Sequence, residues 1–314
     1  MTPTRVVVAL GGNALEDKNL PSTSESQLIV VKKTCEYIAD LSCAGYELAI
    51  VHGNGPQVGR ILLASEAAKD VTPPMPFDVC GAMSQGYIGY HIQQGLKAAL
   101  AKRKRILPVV SIITQMVVDR QDNAFLNPTK PIGPFYSEEE AKKLEREKGY
   151  TVKEDAGRGW RRVVPSPIPK RIVEIDTIRK LWDTTISIAC GGGGIPVIEK
   201  EDGSLEGVAA VIDKDFAAER LAEDLDADIL IILTEVERVS INFKKTNQED
   251  LSSMSIEQAE KYISEGHFAP GSMLPKVMAA VNFAKSKSGR KAIITSLYKA
   301  MEALDGKCGT IIEG

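Results

Sequence analysis

No apolar run in these 314 residues approaches the ~18–20 needed to cross a bilayer, so a membrane-spanning chain is not expected. The start, Met1 to Arg5, carries neither the basic region nor the apolar region of a secretory signal. Cysteine is scarce and scattered. Cys35, Cys43, Cys80, Cys190 and Cys308 form no C-x-x-C pair, which argues against a disulfide framework or a structural zinc site. Together these absences point to a reduced, cytoplasmic protein. Charge of one sign is not in excess either. With 39 Lys+Arg against 42 Asp+Glu, the formal net charge is −3, giving no electrostatic reason to expect nucleic acid or an anionic membrane as partner. Hydrophobic residues at 43% and charged residues at 26% exclude disordered, collagen-like and coiled-coil classes. A chain this long can bury roughly three quarters of its unfolded surface and needs no staples.

What is present is an alternation of short apolar runs with amphipathic helical patterns, the pattern of βαβ units around a parallel sheet. Residues 6–10, 48–51, 106–113, 186–190, 229–233 and 292–295 read as strands. Helices are expected on the segment that follows the first strand, with Leu28, Val31, Cys35 and Ile38 on one face and Gly45 as cap, and over 82–104 and 215–225. The second of these ends in Lys102-Arg103-Lys104-Arg105, a solvated last turn that suits the helix dipole or an anion-binding patch. Ser255 with Gln258 opens another helix, Pro275 suits a first helical position, Gly289 a helix end, and Ser296 the cap of a last helix. Residues 115–170 break the pattern with Pro128, Pro131, Pro134, Pro165, Pro167 and Pro169 around a charged helix at 138–148. So much proline suits an inserted subdomain better than a central sheet. The fold class expected is therefore α/β, built on a parallel sheet in one large domain or two medium ones, with a subdomain inserted at 115–170.

Three glycine clusters each follow a strand: Gly11-Gly12-Asn13, Gly53-Asn54-Gly55 and Gly191-Gly192-Gly193-Gly194. Parallel strands bring their C-terminal ends to one edge, so the three loops should line a common crevice suited to phosphate or carboxylate. The usual phosphate motifs are missing. G-x-x-x-x-G-K-[ST] occurs nowhere, and residues 53–59 exceed G-x-G-x-x-G by one residue and place Pro56 where an N–H is wanted. Without a P-loop, cationic side chains must neutralise phosphate from elsewhere. Lys130 between prolines, Lys214 flanked by Asp213 and Asp215, and Lys276 just after Pro275 sit in unusual surroundings. Taken singly, each reads first as a solvated charge.

Ala9-Leu10-Gly11-Gly12-Asn13-Ala14, residues 52–59 beginning His52-Gly53-Asn54-Gly55, and Gly271-Ser272-Met273-Leu274-Pro275-Lys276 resemble the amino acid kinase superfamily. Asn127-Pro128-Thr129-Lys130-Pro131-Ile132-Gly133, residues 154–161 from Glu154 to Arg161 and Ile212-Asp213-Lys214-Asp215 resemble its carbamate kinase branch. The likeness runs from residue 5 to Gly309. Thr234-Glu235-Val236-Glu237-Arg238 departs from it, because the superfamily often has Asp and Gly at the second and fifth of these positions.

The resemblance implies a single domain, 1–314, with an open and mainly parallel sheet in a three-layer αβα fold, and a homodimer. It also implies phosphoryl transfer between ATP and carbamate to give ADP and carbamoyl phosphate, mostly toward ATP in arginine catabolism. Mg²⁺ would travel with the nucleotide, with no metal ligand assigned to a protein side chain. The N-terminal half would hold the small substrate and the C-terminal half the nucleotide. Gly11, Gly12 and Asn13 would cradle the transferring group, and Gly53, Asn54 and Gly55 would hold carbamate. Lys214 and Lys276 would neutralise phosphate charge while Asp215 orients them, and Lys130 would reach over the carbamoyl group from a mobile inserted lobe. Thr234, Val236, Val239, Gly271 and Met273 would lie against the nucleotide. His52, His91 and His267 are expected to be structural. A kinase for a larger acid such as N-acetylglutamate, and a non-catalytic sensor, are the competing readings.

Overall fold

The computed structural model describes residues 3–155 and 157–314 and, at Asn13, the backbone only. Ala156, within the Glu154-to-Arg161 motif, lies outside the described residues. Eight strands form the central sheet in the order Ser253–Ser255, Thr310–Glu313, Lys291–Ser296, Ile229–Thr234, Arg5–Leu10, Glu47–His52, Ile186–Ile188, Val109–Ser111. Neighbours run parallel except where Lys291–Ser296 meets Thr310–Glu313. The run at 6–10 is apolar throughout because both faces of its strand are covered. Val7 and Ala9 enter one core with Ala217, Leu221, Val277 and Phe283, while Val6, Val8 and Leu10 enter the other with Val31, Ile38, Ile88 and Ile92. Helices Ser24–Cys43 and Phe77–Lys102 cover one face; Lys214–Asp224 and Met273–Ser286 cover the other. The result is the expected three-layer α/β arrangement.

Local chemistry sets the element ends. Thr23 caps the first helix by accepting from the Ser26 amide, and Gly45 turns the chain with φ +97°. Ser137 with Glu140, and Ser255 with Gln258, form capping boxes. Gly95 lets the two long helices of one face cross closely, since a Cβ there would lie 2.7 Å from Cys35 Sγ. No helix among the described residues is long and apolar enough to cross a membrane.

Several boundaries differ from the sequence reading. The helix expected from 82 begins at Phe77, behind Pro76. The third strand spans only Val109–Ser111, and Ile106 is 99% exposed. Only those residues find a partner on Ile186–Ile188, so the apolar run overstates the strand. Pro275 is the third helical residue rather than the first, where its missing N–H still costs nothing. Gly289 lies beyond Ser286, the last helical residue, and Ser296 leads into a 3₁₀ turn without a side-chain capping bond.

The proline-rich segment is shared between two small sheets. Gln115–Val118 and Pro169–Ile172 join Ile195–Glu199 and Leu205–Gly207 in one, beside the central sheet. Lys130–Tyr136, Trp160–Val164 and Thr151–Glu154 form the other, with helix Glu138–Lys148 beside it. This second unit is the lobe that carries Lys130. Ile132 and Val164 dock it on Val58, Leu62, Phe77 and Cys80 in a small buried cluster.

Candidate active site

Strands Arg5–Leu10, Glu47–His52 and Ile186–Ile188 each end in one of the glycine clusters. Helices Gly55–Ala67, Lys214–Asp224 and Met273–Ser286 send their first turns to the same place. Between them lies a cavity of about 300 Å³, walled by Gly53, Asn54, Gly55, Lys130, Lys214 and Lys276 among others. The partial positive charge of three helix starts already favours an anion there.

The lysines converge although they are far apart in sequence. Lys276 Nζ donates to Asp215 Oδ2 at 2.8 Å, Lys214 Nζ to Asp215 Oδ1, and Lys130 Nζ to Asp213 Oδ2 at 3.0 Å. Three cations thus meet two carboxylates, an excess of positive charge. Asp215 is 3% exposed at its side chain, Lys214 15% and Lys276 14%. Burial works against ionisation of Asp215, but the two lysines outweigh it and hold its carboxyl below the usual carboxylate range. Burial likewise lowers the pKa of Lys214, against the pull of Asp215. Two ammonium groups near a helix start would otherwise oppose both the dipole and each other. Asp215 makes the arrangement tenable.

The glycines play more varied parts than the sequence suggests. The Gly11 amide donates to Leu233 O at 3.1 Å and the Gly53 amide to Leu10 O at 3.3 Å, so both are committed to the strand ends. Gly12 is exposed and borders a second groove of about 820 Å³ with Pro56 and Glu235. The side chain of Asn13 is outside the described part of the structure. The Gly191-to-Gly194 run is held by packing. A Cβ on Gly191 would fall 2.4 Å from His52 Nε2, and one on Gly192, with φ +66°, 2.2 Å from Asn54 Nδ2. Asn54 is thereby pressed between Gly192 and Ser84, to whose Oγ it donates at 2.8 Å.

Beyond Ser272, which lines both, a neighbouring cavity of about 580 Å³ is bordered by Thr234, Val236, Phe243, His267 and Met273. Gly271, φ +71°, faces the lysine cavity instead. Val239 corrects the sequence reading: it is 0% exposed and packed in the core behind the second cavity, its amide donating to Thr310 Oγ1. Sequence reasoning gave Asp213 no role, because its partner Lys130 lies 83 residues away. Ser84 was missed for the same reason, lying 30 residues from Asn54.

His52 is buried beneath Gly191, its Nδ1 donating to Gly53 O at 2.8 Å. Burial pushes its pKa down to about 4, from an ordinary 6.5, against the smaller raising effect of that carbonyl. Between those values the unfolded chain takes up a proton that the native one refuses. The contribution is therefore intact above pH 6.5 and is lost as pH falls toward 4. Burial raises the Glu219 carboxyl to about 9, which acts in the opposite sense, so the informative quantity is a difference. The stability gap between wild type and His52→Gln should shift by up to about 3 kcal/mol in the variant's favour as pH drops through this range. Urea melts along the pH series check this, and a constant gap would refute a neutral His52.

A strand-edge crevice with clustered lysines and no P-loop defines a class of phosphate-handling α/β protein. Residues 4–296 match the model of the Amino acid kinase family, and the chain belongs to that family. The carbamate kinase of Pyrococcus horikoshii is 55% identical over 311 residues, covering 98% of each chain. That of Clostridium perfringens is 55% identical over 312 residues, covering 98% of this chain and 99% of its own. The solved carbamate kinase from Giardia lamblia bound to AMP-PNP has a TM-score of 0.95 at 44% identity, covering 99% of both chains.

Proposed function

We propose that this chain transfers a phosphoryl group reversibly between ATP and carbamate, giving ADP and carbamoyl phosphate. The observation that carries the reading is the meeting of Lys130, Lys214 and Lys276 on Asp213 and Asp215 in one small cavity. The full-length likeness to carbamate kinases supports the substrate pair. A carbamate oxygen attacks the γ-phosphorus in line as the bond to the bridging oxygen breaks, and that electron pair leaves on ADP. Carbamate is already an anion, so no general base is required. Lys214 and Lys276, held apart by Asp215, neutralise the phosphoryl oxygens. Lys130 covers the carbamoyl end, Asn54 and its flanking glycines hold carbamate, and Gly12 and Asn13 complete the phosphoryl end. The nucleotide occupies the neighbouring cavity against Thr234, Val236 and Met273.

Mg²⁺ would travel with the nucleotide's own phosphates and would supply neutralisation of charge on their oxygens. Asp213 and Asp215 give their oxygens to lysines and to the Asp215 amide. No group of three or more acidic, His or Cys side chains among the described residues could hold a metal ion. The donor set among the described residues therefore does not fit a protein-held metal.

The single-domain division also belongs to this reading, with the first half holding carbamate, the second the nucleotide, and the lobe moving. A homodimer is supported by the exposed apolar residues Val79, Met83 and Tyr90, which follow one stripe of helix Phe77–Lys102. The cytoplasm suits both the nucleotide pool and five free thiols, and arginine breakdown is the setting proposed.

The wall of the lysine cavity includes no arginine among the described residues, so nothing there would clamp the distal carboxylate of acetylglutamate. Turnover of carbamoyl phosphate with ADP, and none of acetylglutamate with ATP, is the expected result. The reverse preference would overturn the substrate, and ADP binding without turnover would favour a sensor. Asp215→Asn, nearly isosteric, should lower kcat ~10-fold or more, about 1.4 kcal/mol, with the circular dichroism of the folded protein retained. Unaltered kinetics would reduce Asp215 to a structural charge.

A further inference from the structure

Asp213 has two jobs on two atoms. Its Oδ1 accepts the Asp215 amide at 3.0 Å, capping helix Lys214–Asp224, and its Oδ2 accepts Lys130 Nζ at 3.0 Å. The first bond is local and sets where the catalytic helix begins. The second crosses from that helix to the lobe, joining residues 83 apart. Lys130 has no other ion pair among the described residues, and its neighbours Pro131, Ile132 and Gly133 line the same cavity wall. The pair is partly sheltered, with side-chain exposures of 30% for Lys130 and 14% for Asp213, so its geometry is better defined than that of a solvated surface pair.

We propose that Asp213 is a positioning residue, whose carboxylate holds the lobe's Lys130 ammonium in place over the small-substrate cavity. This rests on the carbamate kinase reading above. A lysine side chain has several rotatable bonds and three donor positions, so without a fixed acceptor Lys130 would sample many positions over the substrate. Asp213 selects one of them. Because the same carboxylate caps the helix that starts with Lys214, it ties the position of the lobe's cation to that of the two phosphate-facing lysines.

The two jobs can be separated by substitution. Asparagine caps helices as well as aspartate does but carries no charge for Lys130, and serine caps while being too short to reach it. Asp213→Asn and Asp213→Ser should both retain thermal stability within a few degrees and ADP affinity within about threefold, measured by calorimetry. Each should lower kcat/KM for carbamoyl phosphate about tenfold or more, with KM for ADP little changed. In a double-mutant cycle, Asp213→Asn added to Lys130→Met should cost almost nothing further, because the positioned group is already gone. Losses that multiply, full activity of Asp213→Asn, or tighter carbamoyl phosphate binding by that variant would overturn the proposal. A wild-type protein that makes no ATP from carbamoyl phosphate and ADP would instead refute the underlying reading, so the two failures are distinguishable.

Discussion

Replacing Lys214 or Lys276 by alanine is expected to lower kcat about a hundredfold or more, roughly 2.7 kcal/mol of transition-state stabilisation. The two ammonium groups share the carboxylate of Asp215 at the mouths of two helices, within a cavity too small to leave them in bulk water. Charge on the phosphoryl oxygens develops in that low-dielectric space, where a fixed cation does far more than a solvated one. Either deletion also leaves Asp215 with a single lysine, so the variant should keep its fold while the remaining cation loses its geometry. Steady-state kinetics on folded variants check this. Near-normal turnover by either would remove that lysine from the transition state.

Lys130→Ala should reduce turnover and weaken carbamoyl phosphate binding while leaving ADP affinity within about threefold, roughly 0.65 kcal/mol. Lys130 belongs to the lobe, and Thr234, Val236 and Met273, proposed to hold the nucleotide, line another cavity. The lobe meets the body through Ile132 and Val164, through the Lys130–Asp213 pair and through Lys148 on Glu66, and the proposed reading has these contacts open and reform. Carbamate and its phosphate decompose in water, so a lobe that closes over them excludes solvent from the reaction. Amide exchange in residues 130–164 should accordingly be faster without ligand and slow when both substrates are present. Calorimetry with ADP alone, beside kinetics with both substrates, separates the possibilities. A variant that lost ADP binding as severely as turnover would place Lys130 in the nucleotide site or in folding.

The central sheet was legible because buried parallel strands leave continuous apolar runs, as at residues 6–10 and 229–233. Helix starts were legible where a capping side chain announces them, as at Ser255. The strand Val109–Ser111 was overextended because apolar character does not report where a partner strand stops. Val239 was ambiguous for a related reason: an apolar residue beside the proposed nucleotide cavity and one in the core behind it look alike in sequence. The proline-rich segment was recognised as irregular, yet its division between two sheets depends on pairing with Ile195–Glu199, far along the chain. The lysines were named from motifs, but Asp213 could not be, because its role exists only once Lys130 has been folded against it.

The claim at the centre is that a lysine cluster organised by Asp215 transfers a phosphoryl group between carbamate and a nucleotide. One coupled assay tests it most directly, supplying carbamoyl phosphate and Mg²⁺-ADP and detecting ATP with a second enzyme. The wild-type protein should make ATP, while folded Lys214→Ala and Lys276→Ala variants should fall by about a hundredfold or more. A wild-type protein that binds ADP yet makes no ATP, or lysine variants that match it in rate, would contradict the claim.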